Sequence, residues 1–253
     1  NHYVLMENKD SKREFVLLNV LSGIFVATLV LSPILSSKII AIGPLFIPGG
    51  VILFPLAFIF NDILTEVYGF ARSRRIIWTG LACQLLGAIA IVVVGLLPSA
   101  PFWQNQSAYD AVLGFAPRIF IGSIFSYFVG EFANSFVLSK MKYVEKGKRG
   151  IKQGWRFVAS TIVGEGVDTI IVMSIAFIGV LAWGDFARTA ITLYLVKVAY
   201  EIVALPFSIR FSNWVKKVEG VDKIDKPTEV SYNPFSFKLS KQHQSVTPGI
   251  KSN

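Results

Sequence analysis

Residues 160–169 read Ser160-Thr161-Ile162-Val163-Gly164-Glu165-Gly166-Val167-Asp168-Thr169, with apolar sequence on both sides: Phe157 to Ala159 before, Ile170 to Val172 after. Glu165 and Asp168 stand three residues apart, which puts them on one face of a helix. No charge follows Asp168 until Asp185. Carboxylates deep in an apolar segment of membrane length are costly, and by default they mark a functional site.

The stretch has an echo at 126–135: Ser126-Tyr127-Phe128-Val129-Gly130-Glu131-Phe132-Ala133-Asn134-Ser135. Ser126, Val129, Gly130 and Glu131 match Ser160, Val163, Gly164 and Glu165, and Asn134 stands where Asp168 stands. Ser-Gly-Asn and Ser-Gly-Asp each recur at i, i+4, i+8. Small residues on such a stripe let two helices approach closely, and the same stripes would suit a homodimer. Helix packing accounts for the serines and glycines. It does not account for two buried glutamates.

Outward from these stretches the chain remains apolar. Of its 253 residues 53% are hydrophobic, and the mean hydropathy is +0.56. A bilayer-spanning helix needs about 20 mostly apolar residues. Six runs qualify, at 15–37, 51–69, 76–97, 118–140, 154–182 and 188–212. The expected fold is an all-α integral membrane protein of six transmembrane helices. A short Gly/Pro-broken hairpin follows helix 1, at 38–50. The expected organisation is a polar cytoplasmic segment at 1–13, a transmembrane domain at 14–218 and a polar tail at 219–253. The tail has the composition of a disordered segment, so it is expected to be dispensable for function. The first run is too long for a cleavable signal peptide and lacks a small-residue cleavage site.

Charge distribution decides what the net +9 means. One set of loops holds Lys9, Lys12, Arg13, Arg72, Arg74, Arg75, Lys140, Lys142, Lys146, Lys148, Arg149, Lys152, Arg156, Arg210, Lys216 and Lys217; the other holds Lys38, Arg118 and Arg188. The alternation predicts six membrane-spanning helices with both termini in the cytoplasm. The basic residues then read as topology signals, and no nucleic-acid partner is expected. The single cysteine, Cys83, allows no internal disulfide, and both histidines, His2 and His243, lie in the polar ends. No metal or cofactor is called for. With no Ser-His or Cys-His pair and no HExxH, an enzyme is not expected. Asp62 and Asp168 also lack the local sequence of an intramembrane aspartyl protease.

Asp62, Glu66, Glu131, Glu165, Asp168 and Glu201 fall in or near the apolar runs, opposed from within by Lys197. Glu131 and Glu165 each lie nine residues from a basic cluster, near mid-membrane. Asp62 and Glu66 share a helix face, as do Lys197 and Glu201. A same-helix ion pair is one account of Lys197 and Glu201, and a substrate role is another. Pairing with the arginines that follow accounts for Glu66. Asp62, Glu165 and Asp168 have no such structural account. Protonation on burial would make any of the acids a proton carrier.

At these residues the chain resembles a family, the queuosine precursor transporters, also known as vitamin-uptake-like transporters. The resemblance rests on Phe54-Pro55-Leu56 through Asn61-Asp62, Glu66, Tyr68, Gly69 and Phe70. It extends to Gly130-Glu131-Phe132-Ala133-Asn134-Ser135, Gly164 to Asp168, and Tyr194 to Glu201, within about residues 14–218. Members often carry Gln where Glu165 stands here. The resemblance implies uptake of 7-deazaguanine precursors of queuosine (preQ0 or preQ1) by a multi-pass inner membrane protein. Its substrate would be held by Asp62, Glu66, Tyr68, Glu131, Asn134, Glu165, Asp168, Lys197 and Glu201 in an acid-lined cavity. A carboxylate accepts two parallel bonds from the N–H donors of such a base. Phe58, Tyr68, Tyr127 and Tyr200 would offer stacking faces. Asp168 is expected to read the base, with Asp62, Glu131 and Glu165 lining the same cavity. The alternative is a substrate-capture subunit that needs a separate ATP-driven module.

Overall fold

The computed structural model describes residues 15–42, 45–114, 117–179 and 182–236. The expected N-terminal segment 1–13 and both histidines lie outside them. The elements in order are α1 (Val16–Leu35), β1 (Ile39–Ile42), β2 (Leu45–Pro48), a 3-10 turn (Gly49–Ile52), α2 (Phe54–Tyr68), α3 (Phe70–Leu96), α4 (Gln106–Leu113), α5 (Pro117–Val144), α6 (Ile151–Phe177) and α7 (Trp183–Glu219). Six of these segments are long and apolar enough to cross a membrane. The chain is an all-α membrane protein, and its one pair of strands among the described residues is the hairpin after helix 1. There Ile39 pairs with Pro48 and Ile42 with Leu45. The loop at 98–117 holds the short α4, which the runs of hydropathy do not show. Helix α7 has 37 residues, about 55 Å of rise, against a hydrocarbon core of about 30 Å. The helix is therefore longer than a perpendicular span requires.

Helix α2 is the axis of the bundle. It packs against α1, α3, α5 and α7, and Ile63, Leu64 and Val67 are fully buried. Phe25 and Leu29 from α1, Ile77 from α3 and Tyr127 from α5 complete this core. No loop separates α2 from α3. Gly69 alone joins them, at φ 84°, a conformation that side chains with a Cβ disfavour. Arg72, Arg74 and Arg75 therefore lie in the first turns of α3 rather than in a loop.

Helices α5 and α6 cross at the paired small residues. A Cβ on Gly130 would lie 2.9 Å from Asp168 Cβ and 3.1 Å from the Gly164 carbonyl oxygen. A Cβ on Gly164 would lie 2.7 Å from Asn134 Cβ and 3.1 Å from the Gly130 carbonyl oxygen. The contact is nearly two-fold, and it relates the two echoed sequences to one another. The stripe is thus spent inside the chain, so a homodimer would need another face. Gly164→Ala is expected to destabilise the protein by about 1–3 kcal/mol through overpacking. Gly166→Ala, whose Cβ would meet only Tyr194 at 3.6 Å, should leave the unfolding temperature in detergent near wild type. Equal unfolding temperatures for the two variants would show that the crossing is not tight.

The polar composition after residue 219 reads as unstructured, but residues 221–236 form a strap across the basic end of the bundle. Lys223 N–H donates to the Val67 carbonyl at 3.0 Å. Asp225, 3% exposed, accepts from Phe70 N–H at 2.7 Å and from Ser139 Oγ at 2.8 Å. It thereby caps the N-terminus of α3, where orphan N–H groups attract a carboxylate. Arg74 donates to the Ser231 and Asn233 carbonyls at 2.6 and 3.0 Å, and Trp78 Nε1 to that of Pro234 at 2.9 Å. The Tyr232 ring lies against Phe70 and Phe136, with Lys140 Nζ 4.3 Å from its centroid. The strap is held by backbone groups and rings, which hydrophobicity alone does not reveal. Residues 237–253 lie outside the described part.

Candidate functional site

The mid-bundle acids come from four helices. On α2, Asp62 Oδ1 accepts from Asn134 Nδ2 of α5 at 2.6 Å and lies 3.5 Å from Ser160 Oγ of α6. One residue earlier, Asn61 Nδ2 donates to Glu131 Oε2 at 2.5 Å and to Ser135 Oγ at 2.8 Å. On α7, Lys197 Nζ lies 2.6 Å from Asp168 Oδ2 and 2.9 Å from Glu165 Oε2. The spacing of Lys197 and Glu201 suggested a same-helix pair. The lysine turns to α6 instead, where two carboxylates outbid one. Glu201, on the next turn of α7, is left without it.

Asp62, Glu131, Asn134, Glu165, Asp168 and Glu201 are each at most 1% exposed, and Lys197 is 8% exposed. The conformation is therefore closed over the cluster. Two surface cavities lie elsewhere: a groove of about 560 Å³ along α3 beside Arg75, Trp78 and Cys83, and one of about 310 Å³ between α3, α4 and α5. Inside the cluster, acceptors outnumber donors. Asp62 Oδ2, Glu131 Oε1, Asn134 Oδ1, Asp168 Oδ1 and both Glu201 oxygens have no hydrogen-bond partner among the described residues. A buried polar atom left unpaired costs about 1–3 kcal/mol, and more if charged. The charges also bear on one another: Glu201 and Glu131 on Asp62, Glu165 and Asp168 on Glu131, Glu165 on Glu201.

Glu66 and Tyr68 belong elsewhere. Glu66 sits toward the basic end in a second ion cluster. Arg156 grips it with Nε at 2.9 Å and Nη2 at 2.5 Å, and Lys216 Nζ lies 2.5 Å away. Lys142 Nζ donates to the Glu66 carbonyl and pairs with Asp222 at 2.6 Å. Glu66 is thus paired with a guanidinium from α6 and an ammonium from α7, elements far along the chain from it. Arg156, Lys142 and Lys216, which read as topology signals, are 0–3% exposed. Tyr68 packs edge-on against Phe15, with ring centroids 5.6 Å apart, near the start of α1.

Of the aromatics near the acids, Phe58 lies at the α5–α6 crossing, where a Cβ on Gly164 would be 3.0 Å from its ring. Tyr127 hydroxyl donates to the Ile77 carbonyl. Tyr194 is half-buried, and its hydroxyl donates to the Ile162 carbonyl at 3.3 Å. Sequence reasoning did not single out Asn61, Ser135 and Ser160 as partners of the acids. Asn61 carried a signal, since it adjoins Asp62, and Ser135 and Ser160 lie on the echoed stripes.

Residues 48–211 match a protein family described as "Putative vitamin uptake transporter". A Bacillus subtilis (strain 168) protein named "Probable queuosine precursor transporter" is 28% identical over 160 residues, which cover 63% of this chain and 69% of that protein. No solved structure matches the chain.

Proposed function

The chain belongs to the vitamin uptake transporter family, and we propose on that footing that it carries 7-deazaguanine precursors of queuosine across the inner membrane into the cytoplasm. The observation that carries the reading is the surplus of buried acceptors at Asp62, Glu131, Asn134 and Asp168. A 7-deazaguanine offers adjacent N–H donors on its Watson–Crick edge, and an aminomethyl precursor adds a cation. The name of the Bacillus subtilis relative supports the same substrate class. The crowding of basic residues at one end of the bundle supports a cytoplasmic placement of that end and of both termini.

The site assignment shifts with the geometry. Asp168 shares Lys197 with Glu165, so Asp62 Oδ2 and Glu131 Oε1, on facing helices, are the better readers of the base. Asn134 holds Asp62 in place while its own carbonyl oxygen stays open. Asp62→Asn keeps the volume and turns one acceptor into a donor. A buried charge-assisted hydrogen bond is worth about 1.5–3 kcal/mol, so affinity should fall about ten- to a hundredfold. The folded protein should survive, because amides are cheaper to bury than carboxylates.

A thermal-shift panel on the purified chain tests the reading. The nitrile and aminomethyl 7-deazaguanines should raise the unfolding temperature. Guanine should raise it less, because its N7 acceptor faces acids. Stabilisation by a vitamin such as biotin and not by either precursor would sink the substrate assignment. Uptake by the chain alone in liposomes separates a transporter from a capture subunit that needs an ATP-driven module.

A further inference from the structure

The middle of the bundle holds more acid than it has cation to balance. Five carboxylates lie there, Asp62, Glu131, Glu165, Asp168 and Glu201, and among the described residues Lys197 alone is in ion-pair contact with any of them. That lysine is committed to Glu165 and Asp168. Glu201 is 1% exposed, and neither of its oxygens has a hydrogen-bond partner among the described residues. The helices packed on α7 offer it no relief. Helix α2 presents Asp62, with Glu66 one turn further toward the basic end and already engaged by Arg156 and Lys216. Helix α6 presents Glu165 and Asp168, and α1 carries no ionisable side chain between Val16 and Leu35. On α7 itself, Lys197 points to α6. The charges that bear on Glu201 from the cluster are therefore negative. An ionised carboxylate buried in that place would have neither a protein donor nor an ion-pair partner among the described residues, and the neutral acid costs far less.

We propose that Glu201 is the proton site of the carrier, and that the same movement takes one proton and one substrate inward. This rests on the reading of the cluster as a 7-deazaguanine site. The proton binds a Glu201 carboxylate oxygen while the site faces outward. The substrate places its N–H donors on Asp62 and Glu131. Proton and substrate occupy different groups, so they load together and do not displace one another. Neutral Glu201 allows the cluster to close, as it is closed here. When the site opens to the basic end, water solvates the carboxylate and the proton leaves.

The test uses the full chain in liposomes with radiolabelled preQ0. An imposed gradient, acid outside by one pH unit, should drive accumulation of up to about tenfold for one proton per substrate. In Glu201→Gln the gradient should have no effect, whatever rate of preQ0 exchange the variant retains. Exchange in the wild type that ignores the gradient would overturn the proposal. So would gradient-driven accumulation in Glu201→Gln. Infrared difference spectra at pH 7 give a readout independent of flux. The carbonyl stretch of a buried carboxylic acid should be lost in Glu201→Gln, and an unchanged spectrum would show that Glu201 is ionised. If the wild type does not exchange preQ0 at all, the substrate reading fails, and the infrared result still decides whether Glu201 holds a proton.

Discussion

Arg156→Met is expected to yield little folded protein. Arg156 is fully buried and makes two parallel bonds to Glu66, at 2.5 and 2.9 Å. Its other terminal nitrogen donates to Glu145 Oε2 at 3.0 Å and to the Lys148 carbonyl at 2.6 Å. One side chain thus ties α2, α6 and the loop between α5 and α6. Removing one partner of a buried ion pair costs about 3–5 kcal/mol, because the other charge remains without compensation. Lys216 still faces Glu66, which sets the cost at the lower end of that range. Glu66→Met combined with Arg156→Met should recover only part of the loss, because buried Lys216 and Lys142 would then share Asp222 as their remaining carboxylate. Size-exclusion profiles and unfolding temperatures in detergent read both variants. A single variant as stable as wild type would show that Lys216 and Lys142 alone satisfy Glu66.

A cut after Glu219 should be as damaging, whereas a cut after Ser236 should be silent. The first removes the strap. Lys142 then loses Asp222 and the Lys223 carbonyl, the α3 N-terminus loses its cap, and Arg74 loses two carbonyls. Each of these hydrogen bonds to a charged group is worth about 1.5–3 kcal/mol. Together these losses rival the 5–15 kcal/mol that holds a typical protein folded. Expression of both truncations as fluorescent fusions, followed by size exclusion, measures the contrast. Normal profiles for the cut after Glu219 would restore the simpler picture of a dispensable tail. The strap also carries a pH signature. Burial alone would push the Asp222 carboxyl up, but Lys142 and Lys216 beside it hold it below the ordinary carboxylate range. Its contribution is full above about pH 4, the ordinary value for an unfolded Asp. It is lost as pH falls through the lower folded value.

Much of the architecture was legible because it depends on patterns a helix imposes. Six apolar runs of membrane length can only be spans. The Gly130 and Gly164 stripes announce a close crossing, and the two helices meet at those residues. What escaped depends on partners far along the chain. Lys197 has Glu201 one turn away and Glu165 on another helix, and spacing alone favours the near one. Glu66 precedes three arginines, yet its partner is Arg156, because the geometry of α6 brings that guanidinium to its level. Lys142, Arg156 and Lys216 served equally well as topology signals, since a positive charge at a helix end has the same sequence signature whether it faces water or a buried carboxylate. The strap was missed for a related reason. Asp225 and Arg74 bond to main-chain atoms, and main-chain partners leave no trace in composition.

The position of α2 also has a consequence for biosynthesis. It is the most buried of the six spans, yet it emerges from the ribosome before α5, α6 and α7. Asn61 and Glu131 are 70 residues apart, Glu66 and Arg156 are 90 apart, and Glu66 and Lys216 are 150 apart. When α2 reaches the translocon, its two carboxylates have none of the partners they hold in the finished protein. A helix in that condition is a poor candidate for release into lipid by itself. It has to linger beside the channel, or rest at its lateral gate, until α5 to α7 arrive to receive it. Membrane insertion of this chain is therefore a cooperative event of the whole bundle, and early quality control would find α2 the most exposed of its segments.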